Sequence, residues 1–355
     1  MRPTVHDIAA SAGVSLATVD RVLNHRPGVR GVTRAKVEAA IETLGYVRDV
    51  AAANLAKGRV YPLVFIVPAG DNPFMRGLEA EILVAGRRSP ADRAQISILT
   101  VPAFDPLALV EAIDTAAADQ PAGIAVVAVD APEVAAAIDR ARTTGVPVVT
   151  LVSDLAASGR DHFVGIDNVA AGRTAGSLMG RFLGSRPGPV AVLAGSMLVR
   201  DHRERLEGFT AAMAEHSEVR VILDVLEGQD DPMLAEELVA MCFNAHPDLA
   251  GIYSLGAGNR GLVTAISARA PKGLRVIAHD LTSHTRSALK AGLIDAVLHQ
   301  DAGHEVRSAI RVLKAKADGV AVIEAQERIR IDIFLKDNLP PEQRGDLRDQ
   351  VEQDD

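Results

Sequence analysis

Residues 4–24 read TVHDIAASAGVSLATVDRVLN, and this stretch decides how the N-terminal part of the chain folds. Thr4 is a good helix N-cap, and apolar residues follow it at helical spacing. Gly13 then interrupts the pattern, and Ser15 is a second good N-cap. The stretch therefore predicts a helix, a tight turn and a second helix.

The second helix has two different faces. Its apolar face holds Val19, Val22 and Leu23, and its opposite face holds Leu16, Ala17 and Arg21. A third helix is predicted to begin after an N-cap at Thr33 and to stop at Gly45, a residue type typical of the position after a helix. Three short helices can share one small core, and they leave the mixed face of the second helix exposed, as a helix lying in a major groove requires.

Composition and charge indicate a globular chain with a basic end. Of the 355 residues, 48% are hydrophobic and 24% are charged, which excludes a largely disordered protein. The net charge of -8 is unevenly distributed: residues 1–59 hold nine Lys or Arg and five acids, a net +4, and the remainder carries -12. Attraction to phosphates is therefore expected at the N-terminal end only.

The N-terminal sequence resembles the LacI/GalR family of bacterial transcription regulators. The resemblance lies in the segments TVHDIA (4–9), AGVS (12–15), ATVDRVLN (17–24), TRAKV (33–37) and LGY (44–46). It implies a headpiece over residues 1–48 that binds double-stranded operator DNA. The implied base-reading residues are Leu16, Ala17 and Arg21, and the implied phosphate contacts are Thr4, Ser15, Thr18 and Asn24. Asp20 departs from the family, which commonly has serine there, and places a carboxylate near the phosphates.

Residues 49–59, DVAAANLAKGR, are alanine-rich and too short for a stable isolated helix. The segment is similar to the family's hinge helix, which folds when two chains meet on the operator. By that resemblance Leu55 is a wedge inserted into the minor groove. The alternative is a plain linker with a buried leucine. The hinge interpretation implies a homodimer.

From Val60 onward, apolar runs alternate with alanine-rich helical stretches, which predicts βαβ units and parallel sheets. The predicted strands are Leu63–Val67, Ile96–Val101, Gly123–Val129, Val146–Leu151, Val190–Leu193, Val219–Val225, Gly251–Leu255 and Leu274–Ala278. The expected fold is an all-α headpiece followed by a two-lobed, periplasmic-binding-protein-like α/β domain over residues 60–338. Lobe 1 is expected at about 60–155 and 295–320, lobe 2 at about 160–292 and 321–335, and a disordered acidic tail at 340–355.

Polar residues gather where the predicted strands end, and ligands of open α/β sheets bind at that edge. The expected ligand-binding set is Asn72, Phe74, Ser153, Asp154, Arg205, Asn259, Asp280 and Gln300. Each Asn or Asp taken alone fits a turn or helix cap equally well. Arg205 and Gln300 enter by the family resemblance, and Ser153 with Asp154 replaces an aspartate that many relatives have where Val152 stands. Carboxylates, amides and a guanidinium suit adjacent hydroxyls, so a sugar or polyol is the expected small-molecule effector.

Two other functions remain as alternatives. A transport-type sugar-binding protein would share the two lobes, but it leaves the headpiece unexplained and lacks the expected signal peptide. A nicotinamide-dependent enzyme is suggested by GAGNRG at 256–261, a G-x-G-x-x-G pattern after a strand. That pattern is weak at about the seventh strand. We expect no catalytic residues, no cofactor and no metal, since the histidines lack ligand spacing and Cys242 lies in an apolar helical stretch. A cytoplasmic protein that makes no membrane contact is expected.

Overall fold

A computed structural model describes residues 3–24, 26–46, 58–216 and 222–341. The chain forms two compact units, Met1–Arg59 and Val60–Asp355. The first is all-α, and the second alternates strands with helices around parallel sheets. This arrangement confirms the predicted fold class.

The first unit contains three helices: α1 (Val5–Ala12), α2 (Leu16–Leu23) and α3 (Gly31–Leu44). Thr4 and Ser15 cap α1 and α2 through their side chains, and Gly13 and Gly45 follow α1 and α3 in the left-handed conformation. Five apolar side chains from all three helices form one small core: Ile8, Val19, Val22, Val37 and Ala40.

The predicted start of the third helix was wrong. The helix begins at Gly31, with Arg30 at the N-cap position and no side-chain capping bond, so Thr33 lies in the first turn. The chain turn before it occurs at Gly28, whose φ is 93°. Because nothing between Gly28 and Thr33 opposes helical conformation, the helix extends back to Gly31.

The second unit begins with a five-stranded parallel sheet in the order β2-β1-β3-β4-β5. The strands are β1 (Tyr61–Ala69), β2 (Ala94–Pro102), β3 (Gly123–Val126), β4 (Val148–Leu151) and β5 (His162–Val164). Helices α4 (Pro73–Asp92), α5 (Pro106–Ala118) and α6 (Pro132–Thr143) connect the first four of these strands. Every residue of β3 and β4 is buried, as expected for a parallel sheet covered on both faces.

A second, six-stranded sheet follows in the order β11-β10-β9-β8-β6-β7. Its strands are β6 (Val190–Ala194), β7 (Leu226–Glu227), β8 (Gly251–Ser254), β9 (Arg275–His279), β10 (Ala296–His299) and β11 (Asp332–Phe334). Its helices are α7 (Asn168–Leu183), α8 (Arg200–His216), α9 (Pro232–Ala245), α10 (Asn259–Arg269) and α11 (Ser283–Ala291). All neighbours are parallel except β11, which runs antiparallel to β10.

Helix α12 (Ala302–Ala317) returns the chain to the first sheet, where it packs against α4 and β1, β3, β4 and β5. A short helix, α13 (Glu324–Glu327), follows it. We expected the whole segment 295–320 in lobe 1, but β10 pairs with β9 in the second sheet. The crossing therefore lies between His299 and Ala302.

Seven of the eight predicted strands overlap strands of the structure. The exception is Val219–Val225: residues 217–221 lie outside the described part, Ile222 makes only an isolated bridge to Val190, and the strand is Leu226–Glu227. Strands β5, β10 and β11 were missed. They have three or four residues each, and their pairing depends on tertiary neighbours rather than on a local pattern.

Helices α7 and α8 pack with their backbones in contact. A Cβ built on Gly172 would lie 2.0 Å from the carbonyl oxygen of Arg205, and one on Gly208 would lie 2.1 Å from that of Val169. Only glycine permits this approach. The contact holds α8 at the depth at which Arg205 is 1% exposed.

No helix among the described residues is long and apolar enough to cross a membrane.

Replacing Gly172 by alanine should force α7 and α8 apart and lower the free energy of unfolding by about 1–3 kcal/mol. Gly77→Ala in α4 is the control, because its new Cβ would meet no atom within 4 Å and alanine is the better helix former. Urea unfolding of both variants checks this. Equal stability of the two would show that the close approach is not needed.

Candidate functional site

Helix α2 presents the face expected to read DNA. Val19 and Val22 are buried, whereas Leu16, Ala17 and Arg21 are exposed, Leu16 by 43%. An exposed leucine on a small helical unit is free to meet an apolar surface of a partner. The face therefore combines an apolar contact with one guanidinium.

The side chains expected at phosphates lie at helix ends. Thr4 and Asp7 form a capping box at α1, and Ser15 Oγ accepts a hydrogen bond from Thr18 N at 3.2 Å at α2. Asn24 follows α2 directly. Leu55 and the rest of segment 49–57 lie outside the described residues.

Asp20 is not left as a bare carboxylate beside this face. Asn24 Nδ2 donates to Asp20 Oδ1 at 2.7 Å, and Arg26 Nη1 lies 3.3 Å from Asp20 Oδ2. Asp20, which departs from the family pattern, thus binds Asn24 and Arg26, two side chains suited to phosphate contact.

A pocket opens where the two sheets of the second unit meet. The space between its lining residues is about 560 Å³ when the open solvent at its mouth is counted. The first lobe contributes the ends of β1, β2, β3 and β4, and the second contributes residues around the start of α8 and after β7. The polar lining residues are Asn72, Asp105, Ser153, Asp201, His202 and Asp230. Val101, Phe104, Leu109, Val127 and Val129 are among its apolar lining residues.

Three buried oxygens at this pocket have no hydrogen-bond partner in the protein: Ser153 Oγ, Asp201 Oδ1 and Asp230 Oδ1. Buried polar atoms are nearly always paired, and an unpaired one costs about 1–3 kcal/mol. Ser153 approaches from the first lobe and the two aspartates from the second. Their arrangement supplies acceptors for a ligand that enters between the lobes.

Behind the aspartates lies the guanidinium of Arg205. Its Nε donates to Asn168 Oδ1 at 2.8 Å, its Nη1 donates to the Leu255 carbonyl at 2.5 Å, and its Nη2 is 3.8 Å from Asp201 Oδ2. The Gln300 side-chain oxygen, in the amide orientation that satisfies both of its ends, accepts from Nη2 at 3.2 Å. Arg205 therefore joins four elements of the second lobe at one point.

Around Arg205, several carboxyl groups share one basic side chain. Burial raises the pKa of Asp280 to about 7 against the opposing effect of Arg205. Burial and the nearby Asp280 carboxylate raise the pKa of Glu305 well above its ordinary value. Burial also raises the pKa of Asp230, which Asn72 and His202 partly offset. Strongly perturbed acids in a cleft indicate a functional site.

The predicted residues divide into three groups. Asn72 and Ser153 line the pocket. Arg205, Asn259, Asp280 and Gln300 lie buried in the second lobe, where Asn259 Nδ2 donates to the His279 carbonyl at 2.9 Å and its oxygen accepts from Ser254. Phe74 and Asp154 form the third group, because they neither line the pocket nor belong to this buried set.

Phe74 packs in the core of the second unit, and the aromatic side chain at the pocket is Phe104. The Asp154 carboxylate is occupied by Arg160, by Thr150 Oγ1 at 2.8 Å and by Leu155 N at 2.7 Å. These contacts outweigh burial and lower its pKa. Its lone pairs are used internally, so the expected ligand contact is not available in this arrangement.

Sequence reasoning missed Asp201, His202 and Asp230. Asp201 lies one helical turn before Arg205 on α8, so their proximity could have been read from the spacing. Asp230 sits beside Asp231, the N-cap of α9, and looked like an ordinary turn residue. Their convergence depends on the packing of α8 against the loop after β7.

Backbone strain is concentrated at the same edge. Phe104, Val152, Asp230 and Asp280 all have positive φ, between 58° and 66°. For a β-branched residue such as Val152 this conformation is rare, and it persists only where surrounding contacts enforce it. Strained residues at strand ends that face a cleft are typical of ligand sites.

The two lobes touch at the mouth of the pocket. The Arg203 guanidinium on α8 binds the Asp130 carboxylate after β3, and Asp130 N donates to the Leu198 carbonyl at 3.3 Å. The Asn72 side chain, from the first lobe, acts across the pocket to lower the pKa of Asp230 against the effect of burial. A ligand between the lobes would strengthen or break the same set of contacts.

The glycines of 256–261 have internal explanations. A Cβ on Gly256 would lie 2.9 Å from Arg205 Nη1, and one on Gly261 would lie 2.1 Å from the carbonyl oxygen of Pro232. Gly258 is the N-cap of α10 with φ 74°. The pattern therefore serves the packing of Arg205 and of α10 on α9.

Two family descriptions match the chain. "Bacterial regulatory proteins, lacI family" matches residues 4–49, and "Periplasmic binding protein domain" matches residues 63–321, most of the chain. The chain belongs to the family defined by this periplasmic binding protein domain, and its N-terminal part matches the lacI-family domain. The three headpiece helices lie within the first match, and most of the two-lobed domain lies within the second, whereas α13 and β11 follow its end.

Curated proteins and solved structures are similar to parts of this chain. HTH-type transcriptional regulator MalR of Streptomyces coelicolor is 46% identical over 78 residues, 22% of each protein. The ribose operon repressor of Escherichia coli is 36% identical over 87 residues, 23% of this chain and 26% of that protein. The match thus spans about a quarter or less of these relatives. The structure of GanP, a glucose-galactose binding protein from Geobacillus stearothermophilus, has a TM-score of 0.71 at 21% identity and covers 80% of this chain and 100% of its own. It shows the fold of the second unit.

Replacing Asp20 by serine should tighten DNA binding by roughly three- to tenfold at about 0.15 M salt, because it removes one repulsive charge and releases Asn24 and Arg26 for phosphates. Fluorescence anisotropy with a duplex measures the affinity. Glu38→Gln, which removes an equal charge from exposed α3, is the control. A gain of the same size in the control would assign the effect to overall charge alone.

The contribution of Asp280 to the free energy of unfolding should fall as pH rises from about 5 to 8, whereas His279 and His299, whose pKa values burial lowers, contribute in the opposite direction. The pKa of Asp280 is raised to about 7 in the folded state, so its contribution is fully present below its unfolded pKa of about 3.9 and is lost as pH passes through 7. One proton accounts for up to about 1.4 kcal/mol per pH unit. Glu305 acts in the same direction.

Asp280→Asn should flatten this dependence in urea unfolding at several pH values. Glu237→Gln, which alters an exposed acid on α9, should leave the slope as it is. An unchanged slope in Asp280→Asn would contradict the assignment of the proton to the cluster.

Proposed function

We propose that this protein is a ligand-responsive, sequence-specific transcription regulator. One observation carries the proposal: the exposed mixed face of α2 and a cleft with unpartnered acceptors occur in one LacI-family chain. The first is suited to read DNA, and the second is suited to sense a small molecule.

In this proposal α2 lies in the major groove of double-stranded operator DNA. Arg21 donates to guanine O6 and N7, while Leu16 and Ala17 make apolar contacts such as one to a thymine methyl. Backbone phosphates are held by Thr4, Ser15, Thr18 and Asn24. Residues 1–48 act as headpiece, and segment 49–59 acts as hinge, with Leu55 inserted into the minor groove.

The regulator acts as a homodimer in the cytoplasm, where each headpiece reads one half of a pseudo-palindrome. Support for a partner surface comes from α4, where Leu83 and Val84 are 49% and 39% exposed. Residues 60–338 form the sensor and dimerisation domain. The acidic tail that we expected at 340–355 lies outside the described residues beyond 341.

The effector proposed for the cleft is a sugar or polyol. Support comes from the carboxylate acceptors at the pocket and from a fold shared with a glucose-galactose binding protein. A ligand that binds the closed lobes more tightly shifts the population toward that state and changes the geometry of the two hinges. Relief of repression is the proposed logic, and the name of the ribose operon repressor agrees with it.

A binding role is proposed rather than a catalytic one. The nicotinamide alternative rested on the glycine pattern of 256–261, which internal packing explains. A transport-type binding protein would use the same cleft, but it would not need the exposed face of α2.

Selection from random duplex DNA at about 0.15 M salt should enrich a palindrome, and a panel of sugars and polyols should change its retention. Arg21→Ala should then weaken binding to the enriched site by about 1–3 kcal/mol and relax the preference at one G·C pair in each half-site.

Lys36→Ala is the matched control, because Lys36 is an exposed base on α3 and its loss should weaken specific and non-specific binding alike. If Arg21→Ala behaves in the same way as Lys36→Ala, α2 is not the reading helix. If no sequence is enriched, the regulator proposal fails.

A further inference from the structure

The pocket between the lobes is acidic on one wall. Among its described lining residues are Asp105, Asp201 and Asp230, and none of the lining residues is lysine or arginine. Asp105 caps α5, where its Oδ1 accepts from Leu107 N and Ala108 N. Asp201 and Asp230 have no comparable internal role.

Asp201 is deeply buried and only half satisfied. It is 6% exposed, and its Oδ2 lies 3.8 Å from both Arg205 Nη2 and His202 Nε2, beyond hydrogen-bond distance. Its Oδ1 has no partner. His202 donates from Nδ1 to the Ser196 carbonyl at 2.9 Å, which holds the ring beside the aspartate.

Asp230 supplies a second free oxygen close by. Its Oδ1 has no partner and would lie 2.8 Å from a Cβ built on Gly195, so a glycine makes room for the carboxylate. The negative charge of Asp201 contributes to its raised pKa. The two carboxyl groups therefore repel each other, and the nearest cationic groups are Arg205, 3.8 Å from Asp201, and His202, which partly offsets the raised pKa of Asp230.

An independent observation comes from the opposite lobe. Ser153 is 1% exposed, and its Oγ, which lines the same pocket, also has no partner. Acceptors converge on the pocket from both lobes. A ligand that satisfies the two carboxylate oxygens must donate hydrogen bonds, whereas the Ser153 hydroxyl can accept or donate one.

The net charge of the site distinguishes between the ligand groups that could donate these hydrogen bonds. Behind the pocket wall, Asp280 and Glu305 share the same single guanidinium of Arg205. Hydroxyl groups would complete the hydrogen bonds of Asp201 and Asp230 but would leave their buried charges only partly compensated, which is costly. An ammonium group supplies three donors and a positive charge together.

We infer that the effector carries a protonated amine, as an amino sugar or amino polyol does, and that Asp201 and Asp230 bind this amine with Ser153 as a further acceptor. The inference rests on the proposed sensing function and specifies the chemical class of its ligand. The remaining hydroxyls of such a ligand would face Asn72 and the apolar wall of the first lobe.

The test compares matched ligands on the full chain. D-glucosamine, D-galactosamine and D-mannosamine are titrated by calorimetry beside their neutral parent sugars and their N-acetyl derivatives, together with neutral polyols. At least one amine should bind about 30-fold or more tightly than its parent and its N-acetyl form, as the loss of a buried charge partner implies. Equal or tighter binding of the neutral forms, or no binding by any amine, overturns the inference.

Variants locate the effect. Asp201→Asn and Asp230→Asn should each weaken binding of the amine by about 30-fold or more, whereas Glu237→Gln on exposed α9 should not change it. If both cleft variants bind the amine as the parent protein does, the assignment to these carboxylates is wrong.

Proton release gives a readout that does not depend on the variants. At about pH 6 the free amine is already protonated, and a bound ammonium lowers the pKa of neighbouring carboxyl groups, so binding at this pH should release protons. Calorimetry in two non-amine buffers of different ionisation enthalpy measures the number released. Proton uptake, or none exchanged, counts against the inference.

Retention of the selected operator is followed with the same compounds. A neutral sugar or polyol that changes DNA binding would overturn the amine while preserving the sensing function. If no compound in the set changes either DNA binding or thermal stability, the sensing function itself fails.

Discussion

The guanidinium of Arg205 is held where the start of α7, the end of β8, the start of α8 and the loop after β10 meet. A charge buried to this degree costs several kcal/mol unless it is paired and hydrogen-bonded, so each of these elements must deliver its polar group to the correct place. Gly172 and Gly256 leave the necessary space. The second lobe is organised around that requirement.

The same requirement shapes the pocket. Asp201, one turn before Arg205 on α8, and Asp230 reach the pocket with oxygens that the described protein groups do not satisfy. The strained backbone at Val152 and Asp280 belongs to the same edge, where strand ends are bent to place side chains rather than to continue the sheet. Local strain and unpaired acceptors are both costs that a bound ligand can offset.

The headpiece is smaller, and a few residues are enough to stabilise it. Five apolar side chains form its core, and Thr4 and Ser15 satisfy the ends of two of its helices, so most of its polar surface remains for a partner. Asp20 shows how one substitution can redirect its neighbours, since Asn24 and Arg26 both turn to this carboxylate. Such surface contacts are weak and exchange readily when a stronger anion is present.

The sequence by itself determined the helix-turn-helix order, the parallel α/β class and most strand positions, because capping residues and hydrophobic periodicity act over a few neighbouring residues. It also indicated Asn72, since polar residues after buried strands gather at one edge of a sheet, whereas Ser153 and Arg205 entered by the family resemblance. Only the tertiary structure decided that Phe74 and Asp154 are used internally, that Phe104, Asp201 and Asp230 face the pocket, and that β10 belongs to the second sheet. Each of these outcomes depends on which residue, distant in the sequence, contacts a given side chain in the folded protein. A local sequence pattern contains no information about such long-range contacts.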